Sequence, residues 1–170
     1  MFRVLPLPDD TAGQVYLHSM LGRREGLAEA SQAIRALGIQ RVISLAPLHE
    51  IWEKSPEYAR LIEGGATAWQ QEVFPIEDYS VPMDEDAYLA FFQRLSQQVR
   101  AGEKILLHCA AGIGRTGMGA MTLLMCLGMD RESAIQVVRG VGSGPEDPRQ
   151  FALLERLELR IANDRAAAGG

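Results

Sequence analysis

Apolar and polar positions along this 170-residue chain follow two periods. Short apolar runs, as in buried strands, alternate with longer stretches whose apolar side chains fall three and four apart. Residues 1–13 read as extended, because Pro6 and Pro8 bar helix. Gln14–His18 is predicted as a short strand at a sheet edge, followed by a loop at 19–26. Over 27–37, Leu27, Ala30, Ile34 and Leu37 share one helical face, and Gly38 stands where a C-terminal cap belongs. Residues 41–46 hold Val42, Ile43 and Leu45, a buried strand that Pro47 ends. Residues 48–64 read as polar helix broken at Pro56, and 67–75, with Trp69, Val73 and Phe74, as a strand. A loop at 76–82 leads into an amphipathic helix over 84–100, striped by Leu89, Phe92, Leu95 and Val99.

The second half continues in the same way. Residues 104–108 form an apolar strand and 115–128 a helix, uncharged from Met118 onward. Asp130 is placed to N-cap a helix running to about 139. A Gly- and Pro-rich loop over 140–148 precedes a last helix at 148–162, with 163–170 a frayed tail. Strands alternating with helices predict an α/β fold with a mainly parallel sheet of four to five strands flanked by helices. No repeat or linker interrupts the chain, so residues 1–170 read as one domain.

Between the strand 104–108 and the helix after it lies the most informative stretch, His108-Cys109-Ala110-Ala111-Gly112-Ile113-Gly114-Arg115-Thr116-Gly117. A strand, a Gly-rich loop and a helix start aim backbone N–H groups at one point and favour negative charge there. Such a field favours the thiolate form of Cys109. A thiolate beside an oxyanion cradle is a nucleophile with its transition-state binder in place. Arg115 adds a planar fork suited to two oxygens of a tetrahedral anion. Anion-binding positions are thus Ala110, Ala111, Gly112, Ile113, Gly114 and Arg115, with Gly112 and Gly114 supplying backbone angles that other residues resist.

This segment resembles the signature loop of the cysteine-based protein tyrosine and dual-specificity phosphatases. The match is complete, including the hydroxyl of Thr116 after the arginine. The first half of the chain, Val15-Tyr16-Leu17 to Leu45, is similar to the same region of compact members, the kinase-associated and small prokaryotic tyrosine phosphatases closest. Phosphate ester cleavage needs an acid to protonate the leaving oxygen. Asp78, in Phe74-Pro75-Ile76-Glu77-Asp78-Tyr79-Ser80-Val81-Pro82, resembles the general acid of the family, with Glu77 and Asp84 as rivals. Asp84 suits a helix cap better. The resemblance further implies that His108 shapes the loop and helps keep Cys109 ionised, and that Thr116 eases thiophosphate breakdown. Gln150 resembles a glutamine that orients the hydrolytic water, though an ordinary helix start explains it equally. Glu50 reads as a surface residue or as a brace for the loop, the surface being the first expectation. Thiol and acid acting together imply a bell-shaped pH profile.

Composition narrows the partners. Net charge is −5, which disfavours nucleic acid or an anionic membrane as primary partner. The longest uncharged apolar run, 117–129, is too short to span a bilayer, and no signal peptide is read at the start. Two cysteines do not make a disulfide scaffold, and a reducing cytoplasm suits a thiolate nucleophile. Cys126 is read as a core thiol. A continuous helix puts it roughly 16 Å from Arg115, whereas a disulfide needs Cα atoms within about 7 Å. His18, His49 and His108 have no ligand spacing with the cysteines, so no metal or other cofactor is expected. None of Ala110, Ala111 and Ile113 is basic, whereas phosphatases of inositol phospholipids resemble one another in carrying lysine there. A monomeric phosphatase is therefore expected, taking phosphotyrosine proteins or small aryl phosphates, with phosphoserine and phosphothreonine as further substrates. A phospho-binding pseudophosphatase, an arsenate reductase and a sulfurtransferase remain as alternatives.

Overall fold

The structure, a computed structural model, describes residues 1–170. Five strands form one sheet: β1 (Arg3–Leu5), β2 (Gln14–His18), β3 (Arg41–Ser44), β4 (Gln70–Val73) and β5 (Lys104–His108). Their order is β1-β2-β5-β3-β4, and only the β1–β2 pair is antiparallel. Seven helices flank the sheet: α1 (Leu27–Leu37), α2 (Leu48–Lys54), α3 (Pro56–Glu63), α4 (Glu85–Arg100), α5 (Gly114–Cys126), α6 (Arg131–Gly140) and α7 (Pro148–Ala168).

Strand alternation divides the interior in two. Val15, Leu17, Ile43, Ile105 and Leu107 pack against α4, α5, α6 and α7. Tyr16, Val42 and Leu106 point the other way, against α1, α2 and α3. In α5 every residue from Gly114 to Met125 is buried, which fits the absence of charge after Arg115. Because β2, β5, β3 and β4 run parallel, their carboxyl ends share one edge of the sheet. The loops after His18, Ser44, Val73 and His108 meet there.

Three expectations need correction. Gln14–His18 is not an edge strand, since residues 3–5 of the segment read only as extended pair with it and take the edge. The tail does not fray at 163, because α7 continues to Ala168. Arg165 secures that last stretch by donating Nη2 to the carbonyls of Met125 and Cys126 at 2.7 and 3.2 Å. The strand expected over 67–75 is regular only from Gln70 to Val73. Beyond it Phe74 and Ile76 still donate to Ser44 and Leu45, which carries the chain on toward the loop edge.

Candidate active site

Cys109 follows β5 directly and is buried, with the Gly112 N–H donating to its Sγ at 3.3 Å. The carbonyls of the loop are held from outside it. Met20 N–H donates to Ala110 O at 3.0 Å and Gly144 N–H to Ile113 O at 3.2 Å. Gly112 O accepts from Ser143 Oγ at 2.7 Å and from Arg3 Nη2 at 2.6 Å. A trans peptide plane sets its C=O and N–H in opposite directions. Carbonyls pinned outward therefore turn the N–H groups of Ala111, Ile113 and Gly114 inward, and none of these donates to another backbone group. The start of α5 adds its free first-turn N–H groups to the same set of donors.

The two glycines expected to supply unusual angles differ. Gly112 is left-handed (φ 76°), and a Cβ there would lie 2.3 Å from His18 O. Gly114 has ordinary helical backbone, and a Cβ there would meet only the exposed side chain of Glu146, which can move aside.

Arg115 is buried, and Glu50 holds it in a bidentate pair: Nη1 to Oε2 at 2.7 Å and Nη2 to Oε1 at 2.9 Å. Nη1 also donates to Ile76 O at 2.8 Å. Glu50 is thus not a surface residue. It sits in the first turn of α2, whose path over the loop edge buries it to 5% exposure. Burial alone would lower the Arg115 pKa, but Glu50, the Cys109 sulfur and Asp78 outweigh it and push it up. Burial likewise works to raise Glu50, yet Arg115 and Lys54 hold it below the usual carboxylate range. Arg115 Nε and Thr116 Oγ1 are buried without any partner.

Asp78 lies on the loop after β4, half exposed, with Oδ1 3.1 Å from Arg115 Nη2. The rival Glu77 turns outward to His49 at 3.5 Å, and Asp84 caps α4 by accepting from Ala87 N–H. Tyr79 adopts φ 55°, uncommon for a residue with a side chain. The turn is clamped by the start of α7, where Arg149 Nη2 donates to Tyr79 O at 2.8 Å and Gln150 Nε2 to Ser80 O at 2.9 Å. Gln150 is fully buried, and its Oε1 accepts from Glu146 N–H. Its amide therefore ties two loops together.

A family model described as the Swiss Army Knife protein, DSP-PTPase phosphatase domain, matches residues 17–154. The chain belongs to this phosphatase family. Receptor-type tyrosine-protein phosphatase V of Rattus norvegicus is 36% identical over 67 residues, 38% of this chain and 4% of that protein. The chain thus spans only a small part of that relative's length. Among solved structures, kinase-associated phosphatase with serine at its catalytic-site cysteine superposes with a TM-score of 0.82 at 18% identity, covering 95% of this chain and 96% of that one. A glycine-to-alanine mutant form of Tk-PTP gives 0.70 at 28% identity, covering 87% and 91%. Human DUSP28 gives 0.65 at 17% identity, covering 94% and 95%.

In this dual-specificity-type phosphatase, His108 is fully buried behind the loop. Its Nδ1 lies 2.9 Å from Cys109 O and its Nε2 2.9 Å from Tyr58 Oη. Burial leads the causes that lower its pKa to about 4, so at neutral pH it is an uncharged brace. Tyr58, from α3, carries no local signal of a site role, since only the fold brings it to His108, 50 positions away. Arg3 and Ser143 were missed for a similar reason, since nothing local links them to residue 112. Cys126 ends α5, far from Cys109, and burial pushes its thiol up to about 12. No three His, Cys, Asp or Glu side chains converge to hold a metal ion. No helix is long and apolar enough to cross a membrane.

Proposed function

We propose that this phosphatase hydrolyses phosphotyrosine and related aryl phosphates, and phosphoserine or phosphothreonine as well, through a cysteinyl-phosphate on Cys109. The observation that carries this reading is the loop at Cys109, where the N–H groups of Ala111, Ile113 and Gly114 have no backbone acceptor and the buried Nε of Arg115 has no partner. Cys109 Sγ attacks phosphorus while the ester P–O bond breaks and the Asp78 carboxyl passes its proton to the leaving oxygen. The loop amides and Arg115 hold the three equatorial oxygens as charge spreads over them. Water then attacks phosphorus, the S–P bond breaks, the water proton returns to Asp78, and inorganic phosphate leaves. An entering phosphate competes with Asp78 for Arg115 Nη2, which frees the carboxyl to face the leaving group. Thr116 Oγ1, buried and unpartnered, is available to the departing sulfur. His108 holds the loop from behind. Gln150 acts by fixing the acid turn rather than by handling water.

Exposed Tyr79 and Ile113, next in sequence to Asp78 and within the signature loop, offer apolar surface for an aryl ring. Residues 1–170 act as one monomeric phosphatase domain, and two free cysteines suit the reducing cytoplasm.

Turnover of p-nitrophenyl phosphate by wild type, Cys109→Ser and Asp78→Asn tests the reading. An active wild type, a dead Cys109→Ser and a slowed Asp78→Asn are expected. An inert wild type that still binds phosphotyrosine would make this a binding module.

A further inference from the structure

We infer that Arg3, on the first strand, is a positioning residue for the phosphate cradle, acting with Ser143 through the carbonyl of Gly112. This rests on the phosphatase reading above.

Arg3 reaches the back of the loop because β1 pairs antiparallel with β2, setting Arg3 opposite Leu17, next to the strand end at His18. Its Nη2 donates to Gly112 O at 2.6 Å, and its Nη1 to Ser143 Oγ at 2.9 Å. Ser143 Oγ in turn donates to Gly112 O at 2.7 Å. The three groups close a ring of hydrogen bonds around one carbonyl. Arg3 Nη1 also gathers the carbonyls of Val141 and Gly142 at 2.9 and 3.0 Å, so one side chain ties the 141–143 turn to the loop.

The held carbonyl belongs to the peptide whose other end is the Ile113 N–H. Planarity makes the two point in opposite directions. Fixing the oxygen outward therefore aims that N–H toward the inner side of the loop. The alternative, a flipped peptide, would turn a carbonyl oxygen toward the phosphate. A guanidinium donor strengthens the hold beyond what a neutral donor gives. Burial draws the Arg3 pKa down and the charge on the Cys109 sulfur draws it up, which sets the two in one electrostatic neighbourhood. Nothing in the motif itself supplies this contact, since Arg3 lies 109 residues upstream of Gly112.

The test compares wild type, Arg3→Met, Ser143→Ala and the double variant in kcat and KM on p-nitrophenyl phosphate, affinity for orthovanadate, and melting temperature. Arg3→Met is expected to weaken vanadate binding and kcat by about tenfold, the worth of one charge-assisted hydrogen bond, with KM little changed. Because both donors serve one carbonyl, the double variant should lose more than the product of the single losses. Arg3→Lys, which keeps the charge and one donor, should fall between wild type and Arg3→Met. Arg3→Met with wild-type kcat and vanadate affinity overturns the inference, as do losses that simply multiply. If Arg3→Met does not fold, Ser143→Ala decides, and undiminished vanadate affinity there overturns it. A wild type that neither turns over nor binds vanadate sinks the phosphatase reading, and this role with it. An active wild type with unaffected variants sinks the role of Arg3 alone.

Discussion

Removing Glu50 should damage stability and catalysis together. Both partners of the Glu50–Arg115 pair are almost fully enclosed, at 5% and 2% exposure, and its two hydrogen bonds measure 2.7 and 2.9 Å. Glu50→Ala leaves a buried guanidinium whose remaining partners are the Ile76 carbonyl and half-exposed Asp78. Breaking a buried pair from one side costs about 3–5 kcal/mol. Asp78 offsets part of this, which places the loss near the lower end, about 3 kcal/mol. An unfolding entropy of about 2.1 cal/mol/K per residue over 170 residues gives about 0.36 kcal/mol/K. The expected drop in melting temperature is then about 8 °C. Glu50→Gln keeps the shape and one acceptor but not the charge, and should lose roughly half as much. In both variants Arg115 is held less firmly, so kcat/KM on p-nitrophenyl phosphate should fall by about tenfold or more. Differential scanning fluorimetry and initial rates measure both. Two variants that melt within about 2 °C of wild type and retain full turnover would refute the reasoning.

Two further outcomes follow from the loop's surroundings. His108 titrates near 4 in the fold against an ordinary 6.5, so the unfolded chain takes up its proton first on acidification. Stability should therefore fall as pH drops from about 6.5 to about 4, by up to 2.5 × 1.36, about 3 kcal/mol. Burial lowers His18 as well and adds the same sign. Urea midpoints across this window should slope for wild type and flatten in His108→Gln, and an unchanged slope in the variant would count against the brace. Gly112→Ala places a Cβ 2.3 Å from His18 O and 2.8 Å from Ser19 N, both backbone and unable to yield, at a φ of 76°. The loop must shift, and turnover should fall by about a hundredfold. A variant with wild-type rate and vanadate affinity would show that the loop does not need this geometry.

Much of the architecture is legible in local pattern. The strands at 14–18 and 104–108 and the helices at 27–37 and 84–100 follow from apolar period, caps and breakers, because these forces act within a few residues. The cradle is legible for the same reason, since Cys109, the loop and the helix start are contiguous and carry their own electrostatics. Boundaries that depend on a distant partner are not. Residues 3–5 become a strand only by pairing with β2, and α7 passes 163 because Arg165 finds carbonyls at the end of α5.

The chain's own order thus determined the α/β alternation, the anion-binding loop with its thiol, and a carboxylate at Asp78 on the same side of the sheet. Tertiary structure alone decided which groups hold those parts in place: Glu50 on Arg115, Tyr58 on His108, Arg3 and Ser143 on Gly112, and Gln150 on the acid turn. The physical reason is range. Periodicity and helix-start electrostatics are properties of neighbouring residues, whereas a buried hydrogen bond is set by which chain segments, 31 to 109 positions apart for the Gly112 partners, the folded core brings within 3 Å.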